Sequence, residues 1–294
     1  MSTPTDVAVE SSGGTTLAAY RWDPAGPVRG VVQLTHGMGE HARRYAALAD
    51  ALTAQGLVVY AQDHRGHGAT ARSAEELGRL GPDGWGQLVA DIDRLRLLAR
   101  TDHPDVPLVL LGHSMGSFAV QQYLLDYSDD VDAVVLSGTA LLDLLEPALD
   151  LDEPIDLSGF NAPFAPARTD YDWLSRDEAQ VDAYVADPLC GFGLDEEGGR
   201  AMFVAARPLA AHERLTAIRS SLPVYVAVGD ADPVGGGLTL VTPLVDRLHE
   251  AGLEDVTLKV YPGARHEIFN ETNRDEVHAD LVDWLSVHLP ADPA

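Results

Sequence analysis

Two short stretches of alternating apolar and polar residues, 6–10 and 15–22, flank Ser11-Ser12-Gly13-Gly14, and this arrangement predicts a β-hairpin. Beyond it the pattern changes. Unbroken apolar runs at 30–35, 57–62, 106–111, 131–137, 223–228 and 256–261 read as strands buried on both faces. Between them, apolar residues recur with helical period at 44–55, 86–100, 117–127, 238–251 and 274–288. Short joints such as His36-Gly37 and Pro262-Gly263 fit strand-to-helix loops. Continuous strands separated by helices predict an α/β protein: a mostly parallel central sheet with helices on both faces. The hairpin would add antiparallel strands at one edge.

One region breaks the alternation. Between Ser137 and Leu222 no strand pattern is visible, and Pro147, Pro154, Pro163, Pro166, Pro188 and Pro208 punctuate short helical pieces. An insertion of about 80 residues is too long for an ordinary loop. It predicts a helical cap, residues 141–217, over the carboxyl end of the sheet, with 1–140 and 218–294 forming the core. Ligands bind at that end in open α/β sheets.

The run 108–111 breaks abruptly into Gly112-His113-Ser114-Met115-Gly116 and resumes as a helical segment. This is the pattern of a nucleophile elbow, a sharp strand-to-helix turn that lifts a serine above the sheet edge. Glycines flank Ser114 because side chains there would collide with the neighbouring strand and the incoming helix. The helix N-terminus beside Ser114 favours developing negative charge.

A serine is a poor nucleophile at neutral pH unless a histidine, held by a carboxylate, takes its proton. Two later strands end in loops of the right kind: Gly229-Asp230-Ala231-Asp232-Pro233-Val234 and Tyr261-Pro262-Gly263-Ala264-Arg265-His266-Glu267. Among eleven histidines, His266 alone lies just past the final strand. His249, His278 and His288 fall in expected helices, on faces read as solvated; His103 lies at the wrong end of the sheet and His212 in the insertion. Asp232 is preferred to Asp230 as the acid, since Asp230 is placed to cap local backbone N–H groups. Two backbone donors are needed for the oxyanion. Met115 N–H follows the nucleophile, and Met38 N–H comes from His36-Gly37-Met38-Gly39-Glu40-His41. Asp63-His64-Arg65-Gly66-His67-Gly68 lacks the third clear ligand of a zinc site and is read as loop structure, with Arg65 paired to nearby carboxylates. Asp91, Asp93, Asp129, Asp130 and Asp132 are read as solvated surface. No cofactor or metal is expected.

Composition narrows the function classes. The 294 residues are 46% hydrophobic, enough for one large core with an insertion. A formal charge of −26 argues against nucleic acid and anionic membranes as partners. Lys259 is the only lysine, a bias that salt adaptation or base composition would each produce. Cys190 is the single cysteine, so neither an internal disulfide nor a cysteine metal cluster is expected. No stretch approaches the ~20 apolar residues of a membrane span, and Met1 to Gly14 carry no secretory pattern, which makes the cytoplasm the expected compartment.

Together, His36-Gly37-Met38-Gly39-Glu40-His41 with Arg44-Tyr45, Asp63-His64-Arg65-Gly66-His67-Gly68 and Gly112-His113-Ser114-Met115-Gly116 resemble the monoacylglycerol lipase and lysophospholipase branch of the α/β-hydrolases. The segment 261–267 with Asn270-Glu271, and in the insertion Asp172-Trp173-Leu174-Ser175-Arg176-Asp177 and Asp187-Pro188-Leu189-Cys190-Gly191-Phe192, are similar to its bacterial members. The resemblance implies Ser114 as nucleophile, Asp232 as acid, His266 as base, and Met38 and Met115 as oxyanion donors. It also implies a cap gating an apolar acyl tunnel. Leu141, Leu142, Leu144, Leu145, Phe160, Phe164, Phe192 and Phe203 are the apolar candidates for its wall, with Leu142, Leu145, Phe160 and Phe164 taken as substrate contacts.

The expected activity is hydrolysis of monoacylglycerol, lysophospholipid or similar medium-size esters through an acyl-enzyme. Carboxylates at 143, 146, 150, 152, 153 and 156 keep open an aminopeptidase that binds a substrate ammonium. An esterase for aromatic or synthetic esters and a non-catalytic ligand-binding protein are also compatible with these motifs.

Overall fold

A computed structural model describes residues 3–289. The ends of the expected core span, residues 1–2 and 290–294, lie outside them. The hairpin forms from β1 (Thr5–Glu10) and β2 (Thr16–Trp22), paired antiparallel with Thr5 opposite Arg21 and Glu10 opposite Thr16. Six further strands follow: β3 (Gly30–Thr35), β4 (Leu57–Gln62), β5 (Leu108–His113), β6 (Ala133–Ser137), β7 (Val224–Gly229) and β8 (Val256–Tyr261). They build one sheet in the order β1-β2-β4-β3-β5-β6-β7-β8. All pairings from β4 to β8 are parallel, and the hairpin joins antiparallel to β4.

Every residue of β3 to β7 is buried, which explains why these runs read as continuous rather than alternating. Side chains still alternate between faces. Val31, Leu108 and Leu110 pack with α2 (Gly84–Asp102), α3 (Met115–Tyr127) and α8 (Thr242–Glu250) on one side. Val32, Val109 and Leu111 pack with α1 (Ala46–Thr53) and α9 (Arg274–His288) on the other.

Several boundaries shift from the sequence pattern, and three shifts have a plain physical cause. The run at 106–111 pairs as Leu108–His113, because Pro107 has no N–H to give the ladder and the chain stays extended until Ser114. The helix expected at 44–55 is preceded by a 3-10 turn, Ala42–Tyr45. The helix expected at 238–251 starts only at Thr242, since Gly236, Gly237 and Leu238 all have positive φ and turn the chain first.

Between β6 and β7 the described residues contain no strand. This segment holds α4 (Leu142–Leu145), a 3-10 stretch Leu157–Phe164, α5 (Glu178–Ala186), α6 (Glu196–Ala206) and α7 (His212–Leu215). Asp177 and Asp195 cap α5 and α6 by accepting the Ala179 and Gly198 N–H groups. Met202, Phe203 and Ala206 of α6 are buried against the core. Among the described residues no helix is long and apolar enough to cross a membrane.

The expectation that Asp91 is solvated is wrong. Its side chain is 1% exposed and held between Arg65 Nε at 2.7 Å and Arg94 at 2.6 Å. Arg65 also donates to Ser11 Oγ and to Ser12 at the hairpin tip, so the pair ties loop 63–68 and β1–β2 to α2. Asp93 is half-buried, accepting from Arg96 and Tyr123, and Asp132 accepts the Leu108 N–H. The helical period around Asp91 shows only that it shares a face, and a buried arginine from another loop reverses the meaning of that face. Asp91→Ala would leave Arg65 buried without its carboxylate and is expected to cost about 3 kcal/mol in urea unfolding. A loss within experimental error would show that the Ser11 and Ser12 contacts carry Arg65 alone.

Candidate active site

β5 ends at His113, and α3 begins at Met115. Between them Ser114 sits at φ 51°, ψ −124°, outside the helical region and on the positive-φ side that side chains avoid. Glycine at the two flanking positions permits this turn. A Cβ on Gly112 would lie 2.7 Å from Gly116 O and from Ser117 Cα, and one on Gly116 would drive into Thr35 O of β3. The turn is held by Ser114 N–H donating to Ser137 O at 2.9 Å, while Ser114 O accepts from Ser117 N–H at 2.7 Å.

His266 and Asp232 meet from two other strand ends. Asp232 follows β7 and His266 follows β8, and both side chains are almost wholly buried, at 1% and 2% exposure. Asp232 Oδ2 lies 2.9 Å from His266 Nδ1, and its Oδ1 accepts the Val234 N–H at 2.9 Å. That leaves Nε2 as the ring nitrogen open to a proton from elsewhere. The imidazole is packed between His113 and Trp173, with ring centres 4.7 and 4.9 Å away. Burial, the largest single influence on His266, pulls its pKa down, but Asp232, by charge and hydrogen bond, together with the charges of Glu267 and Glu40 outweighs it and the net shift is upward. His113, equally buried and facing His266 without a carboxylate, is pushed well below the ordinary histidine range and stays neutral.

Asp230 is exposed and accepts the Gly263 N–H at 2.6 Å, so of the two aspartates only Asp232 reaches the histidine. His249 is exposed, as expected, and His212 in the insertion is exposed as well. His278 corrects its expectation: it is buried and its Nε2 bonds to Phe269 O, because α9 turns this face toward the loop after His266. His288 is half-buried between Trp284 O and Asp255.

The loop after β3 approaches Ser114 from the other side. A Cβ on Gly37 would lie 3.1 Å from Ser114 Cβ. Gly37 N–H donates to Glu40 Oε1 at 2.6 Å, leaving the next N–H, that of Met38, without a protein acceptor among the described residues. Met115 N–H, first in α3, is likewise unbonded there, as expected at a helix start.

A buried ion triad underlies this loop. Arg44 bonds Glu40 at 2.8 Å and also Glu267, the neighbour of His266, with a second contact at 2.7 Å. Burial pushes the Glu40 carboxyl up, while Arg44, between two carboxylates, is held well above its usual range. The sequence pattern does not reveal this triad: Arg44 and Glu267 are 223 residues apart, and only their flanking positions in the motifs hint at it.

Among the described residues, His41, Asp187 and Cys190 bring potential ligand atoms within 4.8 Å of one another. His41 and Asp187 are already bonded at 3.0 Å, burial pushes the Cys190 thiol up, and the charge of Arg44 acts on this group. A thiol that resists ionisation beside a cation is poor zinc chemistry.

A cavity of about 290 Å³ opens on Ser114, Met38 and Met115. Of the wall candidates, Leu142, Leu145, Phe160 and Phe203 line it, joined by Met202 and Val234, whereas Leu141, Leu144 and Phe192 do not. Phe164 does not line it; its ring lies under the Arg265 guanidinium, 4.3 Å away. The carboxylates of the insertion divide into two groups. Asp143, Glu146 and Asp152 are paired with Arg247, Arg207 and Arg200. Asp150, Glu153 and Asp156 line the cavity and have no cationic partner among the described residues.

Known proteins share this chain's sequence and fold. A family described as serine aminopeptidase, S33 matches residues 26–273. The chain is 38% identical to a monoacylglycerol lipase of Mycolicibacterium smegmatis, covering 98% of this chain and 99% of that protein. It is 31% identical to the monoglyceride lipase of Mus musculus, over 95% and 89%. Among solved structures it is similar to a thermostable carboxyl esterase from Bacillus coagulans in complex with glycerol, with TM-score 0.85, 29% identity, and coverage of 98% and 99%.

Proposed function

Because the chain belongs to the serine aminopeptidase S33 family, in the monoglyceride lipase branch of the α/β-hydrolases, we propose that Ser114 is its nucleophile, His266 its general base and Asp232 the carboxylate that orients the base. It is a serine ester hydrolase acting on monoacylglycerol-type substrates. In the proposed reaction, His266 Nε2 takes the Ser114 proton as Oγ attacks the ester carbonyl carbon. The oxyanion forms against the N–H groups of Met38 and Met115. His266 then protonates the departing glycerol oxygen, leaving an acyl-Ser114. A water molecule, deprotonated by the same nitrogen, attacks the acyl carbon; fatty acid leaves and Ser114 regains its proton.

The observation that carries this reading is the apolar cavity that ends on Ser114. We take residues 141–217 as the cap over it and the acyl chain as its occupant. The unpaired Asp150, Glu153 and Asp156 at this cavity favour an uncharged glycerol head group over an anionic phosphate. Glu146, Asp143 and Asp152 are taken by arginines, which leaves only Asp150, Glu153 and Asp156 for the ammonium site that the aminopeptidase reading requires. A cytoplasmic location goes with this reading, since the single Cys190 has no need of an oxidising compartment.

Each methylene that enters the cavity adds roughly 0.8 kcal/mol of transition-state binding at best. With p-nitrophenyl esters from acetyl to dodecanoyl, kcat/KM is therefore expected to rise with chain length until the cavity is full. Phe160→Trp should move the optimum to shorter chains, while Phe164→Trp should leave it in place. Flat activity across the series, or faster turnover of aminoacyl anilides, would contradict the acyl assignment.

A further inference from the structure

We propose that a polar cavity between the hairpin tip and the loop 65–82 binds a small phosphorylated metabolite without an aromatic ring, of the sugar-phosphate kind. The cavity measures about 530 Å³ and shares no lining residue with the one that opens on Ser114.

Arginine pairing singles this cavity out. The chain has 46 acidic residues against 20 basic ones, and Lys259 is the only lysine. With acid so abundant an arginine finds a partner easily. Among the described residues, every arginine but two gives its guanidinium to a carboxylate, carbonyl or hydroxyl oxygen. The two exceptions, Arg72 and Arg79, are exposed and line this same cavity. Arg65 lines it as well, from a side chain only 9% exposed. Its Nε and Nη2 bond Asp91, Ser11 and Ser12, which leaves Nη1 as the open donor.

The charge balance here runs against that of the whole molecule. Arg65 is met by Asp91, so Arg72 and Arg79 face one lining carboxylate, Glu76, a local excess of one positive charge on a chain of −26. Glu76 is tied to its own loop, where its Oε2 accepts the Arg72 N–H at 2.9 Å. A guanidinium fork matches two phosphate oxygens at once, which makes arginine the cation suited to a phosphate ester. The remaining lining suits the polyol part. Thr15 lines the cavity with a hydroxyl that has no partner among the described residues, and a Cβ on Gly13, Gly14 or Gly81 would meet only open space. No aromatic side chain is present on which a nucleobase could stack. The volume falls within the range of small-molecule sites, roughly 300–1,000 Å³.

The backbone around the cavity is held without any occupant. Gly78 N–H donates to Gly66 O at 2.9 Å, and Arg79 N–H donates to Glu76 O at 3.1 Å. The two loops touch so closely that a Cβ on Gly66 would lie 2.5 Å from Arg79 O. Arg65 fastens the hairpin tip to the same place. Binding therefore needs little reordering of the main chain, and only the Arg72 and Arg79 side chains have to settle. An occupant bridging them would stabilise the folded chain by mass action.

Titration of glucose 6-phosphate against the whole protein at low salt, followed by 31P NMR, tests the site. Saturable binding with a submillimolar Kd is expected. Arg72→Gln and Arg79→Gln should each weaken it by roughly tenfold, the worth of a charged hydrogen bond. Neither side chain has a partner in the fold, so both variants should unfold at the unsubstituted midpoint. Glu76→Gln keeps an acceptor for the Arg72 N–H and removes the opposing charge, so it should tighten binding several-fold, which damage to the loop would not do. Arg168→Gln with Arg214→Gln is the control. It removes two positive charges from exposed arginines paired elsewhere, with Asp182 and Asp126, and should leave Kd within about two-fold. Inorganic phosphate should bind at least about tenfold more weakly than the ester, and glucose should not compete. No saturation at millimolar concentrations, or equal weakening by the control pair, would overturn the site. Inorganic phosphate binding as tightly as glucose 6-phosphate would mean an adventitious ion only, and tighter binding of adenosine monophosphate would overturn the assignment to a ligand without an aromatic ring.

Discussion

Ser114→Ala is expected to lower kcat for ester hydrolysis by at least about 10³-fold and to abolish fluorophosphonate labelling. The hydroxyl has no substitute nearby. Ser117 Oγ is bonded to Ser114 O and Thr139, and Ser137 Oγ is engaged with His113 Nδ1. What survives is the residual rate from substrate binding and the oxyanion donors. The fold should be indifferent. Alanine retains the Cβ already accommodated at φ 51°, and the Ser114 N–H bond to Ser137 O is a main-chain contact. A thermal midpoint near that of the unsubstituted protein is expected, so loss of activity reports chemistry and not unfolding. A variant keeping more than a tenth of the turnover would remove Ser114 from the nucleophile's role.

Why the elbow could be read from sequence, and its supports could not, has a physical cause. Local conformational demands leave local marks. A sharp turn between strand and helix that passes within contact of β3 needs Gly112 and Gly116, and both are visible as a spaced motif. Strands buried on both faces lose their alternation, which announces a parallel sheet before any pairing is known. Asp232 and His266 were legible because each lies just past a strand end, and parallel strands bring such ends to one edge.

Contacts between distant segments leave no such mark. Nothing near Asp91 shows that Arg65 will be buried against it, and nothing near Glu267 shows that Arg44 will reach it. Phe164 and Phe160 look alike in a proline-broken stretch, and only the path of the chain puts one in the cavity and the other under Arg265. The helix expected to start at 238 failed for a related reason. Its periodicity is real, but Leu238 is held at φ 76° by the turn that delivers Asp232. The site overrides the local preference there.

The Asp232 pairing leads to the second large effect. Asp232→Asn is expected to reduce kcat by about 10³–10⁴-fold, because an amide facing His266 Nδ1 can present its N–H there and force the ring proton to Nε2. A protonated Nε2 cannot accept from Ser114. The pH profile should identify the cause. His266 must be neutral to act as base, so activity is lost as pH falls through its pKa, and the upward net shift places that limb above the ordinary value of about 6.5. With the carboxylate gone, the largest remaining influence is burial, which favours the neutral ring. The limb should therefore move to lower pH even as the plateau drops. A variant that merely loosened the loop would lose rate without moving the limb in that direction. Asp230→Asn is the control: its carboxylate caps the exposed Gly263 N–H, so kcat should stay within about two-fold while the thermal midpoint falls slightly. The opposite outcome, with the large kcat loss at Asp230 and an unmoved acid limb in Asp232→Asn, would transfer the acid's role to Asp230 and leave Asp232 a structural anchor for Val234.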